Sequence, residues 1–415
     1  MAHPSRRGFM LGLAALGATG TLAGCGSGQG ATSLEYFQFK SEAIELFDQI
    51  CQDFNAATPG VSVRQNFQAD NVTALRVRLV KNSMPDIVSI NGDYAFGSIA
   101  RSGVFYDFAP TGLLDNVQDG VVDILPSLGA GAEGQVNGVP LANNGSGIIY
   151  NKDIFEEHDV TPPTTWDELI AACETFQAAG VDPFYWGFGD NWTGAPMFSS
   201  ISGGFLPNVA DWYAERLKGE TSFEHLRPVL EKMDQIAQMG NSNKYEIGYN
   251  DGNQGFSQGR AAMYVHGTYA IPAIRSYNPD VRLGTFATPA DDAANTRVVS
   301  GVDVALTMGS EPEHEQDSLD FIRYVMAEEN MLAYCSEQVA YPTLNGTAPD
   351  DEALLGLQEY FETDRLATYS DHNFPQGVNL NNYMQQFLID HNVDKFIATL
   401  DEQWDKVTAR MAANS

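Results

Sequence analysis

The sequence predicts an α/β protein with two lobes, and two observations carry this prediction. The chain has 415 residues, of which 43% are hydrophobic, and this is more than one ordinary hydrophobic core contains. From about residue 33 onward, short segments with the apolar alternation of strands are followed by segments with the apolar spacing of helices. Such alternation is typical of a mostly parallel sheet, which binds ligands outside the carboxyl ends of its strands.

The first elements follow one another in a regular order. Residues 34–39 predict a strand, and Ser41 is the expected cap of the helix that comes after it. Residues 61–67 alternate like a second strand, and residues 84–90 predict a third, which leads into the polar residues 91–93. The apolar face predicted for the first helix consists of Ile44, Phe47, Ile50, Cys51 and Phe54.

Two later helices have clear signals. Thr165 and Glu168 have the spacing of a capping box, which predicts a helix that ends at Gly180. A second helix is predicted over residues 318–336, where apolar residues recur at helical spacing. Beyond residue 32 the chain contains no repeat of fixed period and no low-complexity tract, which favours two globular lobes.

The N-terminal residues predict export. Arg6 and Arg7 precede an uncharged stretch over residues 9–23, which has the length of a signal-peptide core and is too short to span a bilayer. The arginine pair favours a twin-arginine signal, and the Sec route is the alternative.

A lipid anchor is predicted immediately after that stretch. Residues 22–25, Leu-Ala-Gly-Cys, resemble a bacterial lipobox, which makes residues 1–24 the signal peptide and Cys25 the lipidated first residue of the mature chain. The alternative is an ordinary signal peptide with a chance cysteine. Residues 25–32 then form a flexible tether, and loss of the two arginines changes the net charge from −31 to −33.

The net charge excludes some classes of partner. With 54 acidic and 23 basic residues, the surface repels phosphate backbones and anionic headgroups, so nucleic acid is not an expected partner. Solubility alone also explains the acidity.

The cysteines after Cys25 are predicted to lie in the core. They are odd in number and sit at apolar positions, and one disulfide among them is an open alternative: Cys51, Cys173 and Cys335. Their spacing predicts no metal site.

A series of short motifs resembles those of a known family. They are PDIV at 85–88, GVP at 138–140, IYNKDIF at 149–155, PPTTWDEL at 162–169, FSQGRAAM at 256–263, FIRY at 321–324 and YPT at 341–343. By these motifs, which occur in the family's order over essentially the whole mature chain, the sequence is similar to the extracellular solute-binding proteins of carbohydrate ABC importers (family 1).

The resemblance implies a two-lobed periplasmic-binding-protein fold of type II, with ligand held in a cleft between hinged lobes. Three crossovers are implied near residues 143–146, 299–303 and 340–345. Lobe 1 would comprise residues 33–143 and 302–341, and lobe 2 residues 146–298 and 345–415. The family further implies a monomer without enzymatic activity or cofactor, held on the extracellular face of the membrane, that delivers its ligand to an ABC permease.

Polar residues after the predicted strands are candidate sugar contacts, since hydroxyl groups are best held by charged and amide side chains. Lys40 follows the first strand, Asn91 and Asp93 follow the third, and Asp303 lies in a Ser-Gly-Val-Asp segment. Each has a structural alternative: Asn91 or Asp93 as the cap of the next helix, and Lys40 as a solvated surface lysine. Asn143, in the first crossover, is also a candidate ligand residue.

Aromatic side chains are the second requirement, because they cover the C–H faces of a sugar ring. Tyr269 stands where the family has a ligand-stacking Trp, with a core tyrosine as the alternative. Asp190 and Trp192 match a cleft-facing segment of related proteins, within a loop whose other aromatic residues include core positions. The loop at residues 369–375 combines polar and aromatic residues without helical or strand periodicity, and its candidates are Tyr369, Asp371 and His372.

A subset of these residues points to a specific ligand by resemblance. It is similar to the site of actinobacterial lipoproteins that bind α-1,6-linked galactosides and glucosides such as raffinose, panose and isomalto-oligosaccharides. The subset is Lys40, Asn91, Tyr269, Asp303, Tyr369, Asp371 and His372, in which the two tyrosines would stack on the terminal hexose and the others would bind its hydroxyl groups.

Three alternatives remain open from the sequence. In the first, the chain binds a maltose- or xylan-derived oligosaccharide. In the second, it binds a polyamine, which would suit the acidic surface. In the third, it is a secreted glycoside hydrolase. A hydrolase needs only two suitably spaced carboxylates, which many chains offer. A polyamine site needs several carboxylates around an aromatic box, whereas the candidate set contains a lysine and an amide.

Overall fold

The computed structural model describes residues 32–206, 208–375 and 377–414. The strands are β1 Thr32–Gln38, β2 Val61–Phe67, β3 Ile87–Ile90, β4 Val139–Asn151, β5 Asp182–Phe184, β6 Ala261–Gly267, β7 Leu283–Phe286, β8 Val298–Thr307, β9 Tyr341–Pro342 and β10 Leu366–Ala367. The helices are α1 Ile44–Ala57, α2 Asn71–Val80, α3 Tyr94–Ala100, α4 Asp119–Val122, α5 Ile124–Leu128, α6 Lys152–Glu157, α7 Trp166–Ala178, α8 Ala195–Phe205, α9 Val209–Lys218, α10 Arg227–Ala237, α11 Tyr249–Ser257, α12 Ala270–Tyr277, α13 Glu315–Val325, α14 Glu328–Gln338, α15 Leu355–Glu362, α16 Leu380–Asp390 and α17 Val393–Asn414. The α/β class is confirmed.

The predicted signal peptide, Cys25 and the tether up to residue 31 lie outside the described residues. Thr32, which we expected to end the tether, is instead the first residue of β1. Within the described ranges, none of the helices combines the length and apolar character that crossing a membrane requires.

The sheet is mixed, which corrects the expectation of a mostly parallel one. Its main order is β2-β1-β3-β8-β4-β6-β5, with β7 and β9 on β4 and β10 on β8. The pairs β1–β2, β1–β3 and β5–β6 are parallel, as the strand–helix alternation predicts. The long strands β4 and β8 pair antiparallel with each other and with their other main neighbours, and these pairings link the two parallel portions.

Local predictions succeed where the signal is strong. The capping box of α7 is present: the Thr165 hydroxyl accepts from the Glu168 backbone, and the Glu168 carboxylate accepts from the Thr165 backbone. Ser41 does not cap α1, because the helix begins two residues later than predicted, behind Ala43, and the Ser41 hydroxyl bonds to Glu42. The third strand is shorter than predicted and begins at Ile87.

The helix predicted over residues 318–336 is two helices, α13 and α14. The chain leaves the helical conformation at Ala327, whose ψ is 138°, and the second helix starts at Glu328 and Glu329. Acidic residues are favourable in the first turn of a helix because they face its positive dipole end, so these two glutamates mark a new start that the continuous apolar pattern conceals.

The hydrophobic cores fall into two pairs. One pair packs around β1, β3 and α1, with Phe47 and Phe96 as buried members, and the other around β6 and α7, with Phe176 and Tyr264. The three cysteines of the described chain are buried and unpaired, in α1, α7 and α14, which confirms their expected place in the core.

Val339, at the end of α14, has an unusual backbone. Five non-glycine residues in the described ranges have positive φ: Asn82, Asp159, Val339, Asp364 and His391. Four of them are residue types that tolerate this region, whereas the β-branched Val339, at φ 50° and ψ 53°, bears a cost of about 1–2 kcal/mol. Its side chain is buried in the core cluster that also contains Ile271 and Leu357, so packing compensates for the strain.

Candidate ligand-binding site

A cavity of about 510 Å³ opens where the loops after β1 and β3 meet the middle of β4 and β8. Lys40 and Asn91 follow the carboxyl ends of the parallel strands β1 and β3, where ligands are expected. Asn144 and Asp303 instead lie within β4 and β8, which pair antiparallel with each other. The opposite wall comes from the start of α8, from α11, from Tyr269 before α12 and from the loop before α16.

Eight of the eleven predicted ligand residues line this cavity. They come from segments that are far apart in the chain, and the fold brings them together: Lys40, Asn91, Trp192, Tyr269, Asp303, Tyr369, Asp371 and His372.

Three predicted residues do not line the cavity. Asp93 caps α3 and accepts from the backbone of Ala95 at 2.8 Å, which is the structural alternative named above. Asp190 is exposed and accepts from the backbone nitrogen of Tyr249 at 2.7 Å. Asn143 is fully buried within β4, and neither polar atom of its side chain has a hydrogen-bond partner among the described residues. We therefore leave these three out of the proposed contact set.

Asp303 is the most constrained polar group of the cavity. It is 4% exposed, and one carboxylate oxygen accepts from Lys40 Nζ at 2.5 Å and from Asn144 Nδ2 at 2.9 Å. The other oxygen accepts from the Tyr334 hydroxyl at 2.6 Å. Burial, and then the nearby Asp303 carboxylate, raise the pKa of Tyr334. A carboxylate has about four acceptor positions, so Asp303 keeps one for a ligand hydroxyl.

Two more polar groups are positioned by the surrounding backbone and side chains. With its amide nitrogen toward β8, Asn91 bonds to the carbonyl oxygens of Val302 and Asp303 at 3.1 and 3.2 Å, which leaves its oxygen available to a ligand. The Asp371 carboxylate accepts from the Ser199 hydroxyl at 2.5 Å and has further acceptor positions.

Tyr369 forms one aromatic surface of the cavity. Its hydroxyl is 2.8 Å from the Ser146 hydroxyl, and its ring lies 4.7 Å from the His372 ring. Burial raises the pKa of Tyr369, so its hydroxyl stays protonated. The ring rests against Gly301, where an added Cβ would lie 2.8 Å from two ring carbons, so a glycine is needed for this close approach.

A second aromatic surface is organised around His266, which is buried behind the cavity wall. Its ring lies 5.7 Å from Trp192, 5.4 Å from Tyr249 and 6.2 Å from Tyr269, and all three of these line the cavity. Burial lowers the pKa of His266 to about 3, so the imidazole is neutral at physiological pH. A neutral ring among aromatic neighbours fixes the wall without placing a charge behind it.

Sequence reasoning missed several lining residues, chiefly Glu42, Asn144, Tyr249 and Asn381. Asn143 is the predicted ligand residue, whereas its neighbour Asn144 is the one that lines the cavity. Successive side chains of a strand point to opposite faces, so one register step separates the cavity from the core. Glu42 also follows the first strand, two residues after Lys40, so the signal that predicts Lys40 applies to it as well.

Gly301→Ala is expected to weaken ligand binding by about 1 kcal/mol or more, because the new methyl group must displace the Tyr369 ring. Isothermal titration calorimetry measures the change. Gly309→Ala is the matched control, since its methyl group would meet only the flexible Met84 side chain at 3.1 Å. Equal affinities of the Gly301→Ala variant and the wild type would show that the Tyr369 ring does not contact the ligand.

A larger cavity of about 660 Å³ lies elsewhere, between residues 118–121, 341–349 and 358–366. It contains none of the predicted ligand residues. We assign the site to the smaller cavity, because ligand pockets are distinguished by a few convergent polar groups on aromatic walls rather than by volume.

Comparison with known proteins places the chain in a family. The family described as bacterial extracellular solute-binding protein matches residues 40–332, well over half of the chain. The multiple sugar-binding protein of Streptococcus mutans is 28% identical over 333 residues, which are 78% of this chain and 78% of that protein. The melibiose/raffinose/stachyose-binding protein MelE of Bacillus subtilis is 21% identical over 345 residues, 80% of this chain and 79% of the relative.

Among solved structures, the apo form of RafE from Streptococcus pneumoniae superposes with a TM-score of 0.80 at 23% identity, and the match covers 92% of this chain and 99% of RafE. The two-lobed fold is thereby confirmed. The matched family is one of solute-binding proteins, which supports the expectation that the chain is not an enzyme. The chain belongs to the bacterial extracellular solute-binding proteins.

Proposed function

We propose that this protein is the sugar-binding component of an ABC importer, and that it captures neutral oligosaccharides with an α-1,6-linked galactose or glucose at the non-reducing end. The observation that carries the proposal is the convergence of Lys40, Asp303, Asp371 and His372 with two aromatic surfaces in one cavity. The names of the two relatives, one for multiple sugars and one for melibiose, raffinose and stachyose, support it.

Each group has a role in this proposal. The terminal hexose packs against Tyr269 and Tyr369, whose rings cover its C–H faces. Its hydroxyl groups bond to Lys40, Asn91, Asp303, Asp371 and His372, the contacts that the family resemblance implies. The carboxylates of Glu42, Asp303 and Asp371 outnumber the Lys40 ammonium, so the cavity favours a neutral sugar over an acidic one.

Ligand capture is proposed to act through closure of the lobes at residues 33–143 and 302–341 on one side and 146–298 and 345–415 on the other. A ligand that contacts both lobes shifts the open–closed equilibrium toward the closed form. The membership of the hydrophobic cores supports these boundaries, apart from Val339 and Tyr341, which pack with the second lobe.

The third crossover is proposed to pivot after Asn345 rather than throughout residues 340–345. The backbone nitrogen of Gln118 donates to Thr343 O at 2.9 Å, and that of Asn345 donates to Asn116 O at 2.8 Å. Residues 342–345 are therefore fastened to the first lobe, and the dihedral changes of closure fall on the segment that begins at Gly346, a residue with φ of 79°.

The proposed cellular context follows from the N-terminal sequence and the family. The mature chain is anchored through lipid on Cys25, after export by a twin-arginine or Sec signal, and works as a monomer on the extracellular face of the membrane. It delivers its ligand to the transmembrane subunits of the importer.

A thermal-shift panel of the purified chain from residue 32 tests the function. The panel contains raffinose, melibiose, panose, isomaltotriose, maltose, xylobiose and spermidine, and calorimetry follows any hit. A ligand that binds only the native state stabilises it by about 2.7 kcal/mol at a hundredfold excess over the dissociation constant. We expect shifts with raffinose and panose. Shifts with maltose or xylobiose alone would contradict the linkage, and a shift with spermidine alone would contradict sugar binding.

A further inference from the structure

The cavity of the proposed terminal-sugar site is adjoined by a second one of about 320 Å³. The two share five lining residues, Lys40, Glu42, Asn144, Tyr269 and Asp303, and the second adds Pro272, Glu337 and Gln338. We propose that the second cavity is the subsite for the sugar units linked to the terminal hexose, and that Glu337 and Gln338 are its specific hydrogen-bonding residues. This inference rests on the proposed function.

The shared residues place the two cavities on either side of one polar junction. The Lys40–Asp303 pair, with Asn144 bonded to the same carboxylate oxygen, stands in the walls of both. Because both cavities are lined by this junction, a saccharide whose terminal ring contacts it from the first cavity can extend into the second. A single hexose in the first cavity does not reach Glu337 and Gln338.

The last turn of α14 supplies groups suited to hydroxyls. The Glu337 side chain is exposed and that of Gln338 is partly exposed, and Gln338 Nε2 bonds to Glu337 Oε1 at 3.3 Å. Among the described residues this is the one hydrogen bond that either side chain makes. A carboxylate oxygen, an amide oxygen and an amide N–H thus remain for ligand, and Pro272 offers an apolar surface across the cavity.

The backbone immediately after these two residues is the strained turn at Val339. Strained residues persist where the surroundings over-determine them, and they cluster at ligand contacts and switch regions. The left-handed Val339 ends α14 directly behind Gln338, and its side chain is buried in the hydrophobic core of the second lobe. The end of α14 is therefore held in a single orientation, which reduces the ordering cost of binding at Glu337 and Gln338.

The charges of the second cavity indicate the class of ligand. Glu42, Asp303 and Glu337 face one ammonium group, that of Lys40, so this compartment disfavours uronic acids and suits neutral sugar units. We therefore expect the protein to bind neutral saccharides of two or more units more tightly than a single hexose.

Length-dependent binding tests the assignment. Gln338→Ala and Glu337→Ala are titrated calorimetrically with galactose, melibiose and raffinose, which present the same terminal hexose followed by zero, one and two further units. We expect raffinose and melibiose to bind each variant about fivefold more weakly, with galactose affinity unchanged. Gln316→Ala, an exposed glutamine of α13 that bonds to Asp320 at 2.9 Å, is the matched control and should bind all three sugars normally.

The outcomes separate this inference from the function on which it rests. Equal losses for all three sugars would place Glu337 and Gln338 at the terminal ring, and unchanged binding of all three would remove them from the site; either result overturns the inference alone. A wild-type protein that binds neither these three sugars nor panose and isomaltotriose would overturn the proposed function, and this inference with it.

Discussion

Asp303→Ala is expected to weaken binding of raffinose by about 1.5–3 kcal/mol, roughly 10- to 150-fold, because the proposed contact is a hydrogen bond to a charged acceptor. The same substitution should also lower the free energy of unfolding. It leaves the Lys40 ammonium, whose side chain is 13% exposed, with the more distant Glu42 carboxylate at 3.7 Å, and it leaves the buried Tyr334 hydroxyl without an acceptor. An unsatisfied buried polar group costs about 1–3 kcal/mol. Calorimetric titration and urea denaturation measure the two effects.

Asp93→Ala is the matched control for this experiment. The Asp93 carboxylate also follows a strand of the first lobe, but it caps α3 and does not line the cavity. Its loss should cost about 1 kcal/mol of stability and no affinity. If Asp303→Ala lowers stability and still binds raffinose normally, the carboxylate serves the fold and not the ligand.

Acid is expected to destabilise the protein through His266, and His266→Phe should remove that sensitivity. Burial lowers the pKa of this imidazole from 6.5 to about 3, so the unfolded chain binds the proton first as the pH falls. The contribution to stability is therefore complete above about pH 6.5 and is lost as the pH falls toward 3, at up to about 1.4 kcal/mol per pH unit.

The free energies of unfolding of the wild type and of His266→Phe are best compared between pH 6 and pH 5, because most carboxylates stay charged over this interval. Over this interval the free energy of unfolding of the wild type should fall by about 1 kcal/mol more than that of His266→Phe, measured by urea denaturation at each pH. Groups that the two proteins share contribute equally to both and cancel in this difference. The difference between the two proteins should be constant from pH 7.5 to 8.5, and a constant difference down to pH 5 as well would contradict a neutral, buried His266.

Much of the architecture could be predicted from local patterns. The capping box of Thr165 and Glu168 and the alternation of β1 and β2 are short-range signals, and the structure contains each of them. The break between α13 and α14 escaped prediction because the apolar spacing continues across it, while the chain turns at Ala327. The mixed sheet was missed because strand direction in β4 and β8 depends on how the two lobes are joined, which no single segment encodes.

The candidate site was partly predictable for the same reason. Eight of the residues predicted from positions after strands, in an aromatic loop or by resemblance line one cavity. Asp93 and Asp190 instead accept hydrogen bonds from backbone nitrogens, as a carboxylate in such a loop commonly does. For Asn143 the prediction differs from the cavity lining by one residue. Only the register of β4 decides which of the two adjacent asparagines faces the cavity, and the local sequence does not give that register. The packing of His266 behind the aromatic wall could not be predicted from the sequence, because its ring partners come from distant parts of the chain.

The shared pairing of β4 and β8 has a mechanical consequence. Val139 to Ser146 pairs with Val299 to Leu306 through the region where the lobes join, with register shifts next to Ala142. The proposed lobe closure would twist this hydrogen-bonded ribbon of two strands instead of bending free loops, so the ribbon would store elastic strain along its length. Its amides should stay protected from hydrogen exchange in both the empty and the sugar-loaded receptor, and the deformation should concentrate at the irregular pairing beside Ala142.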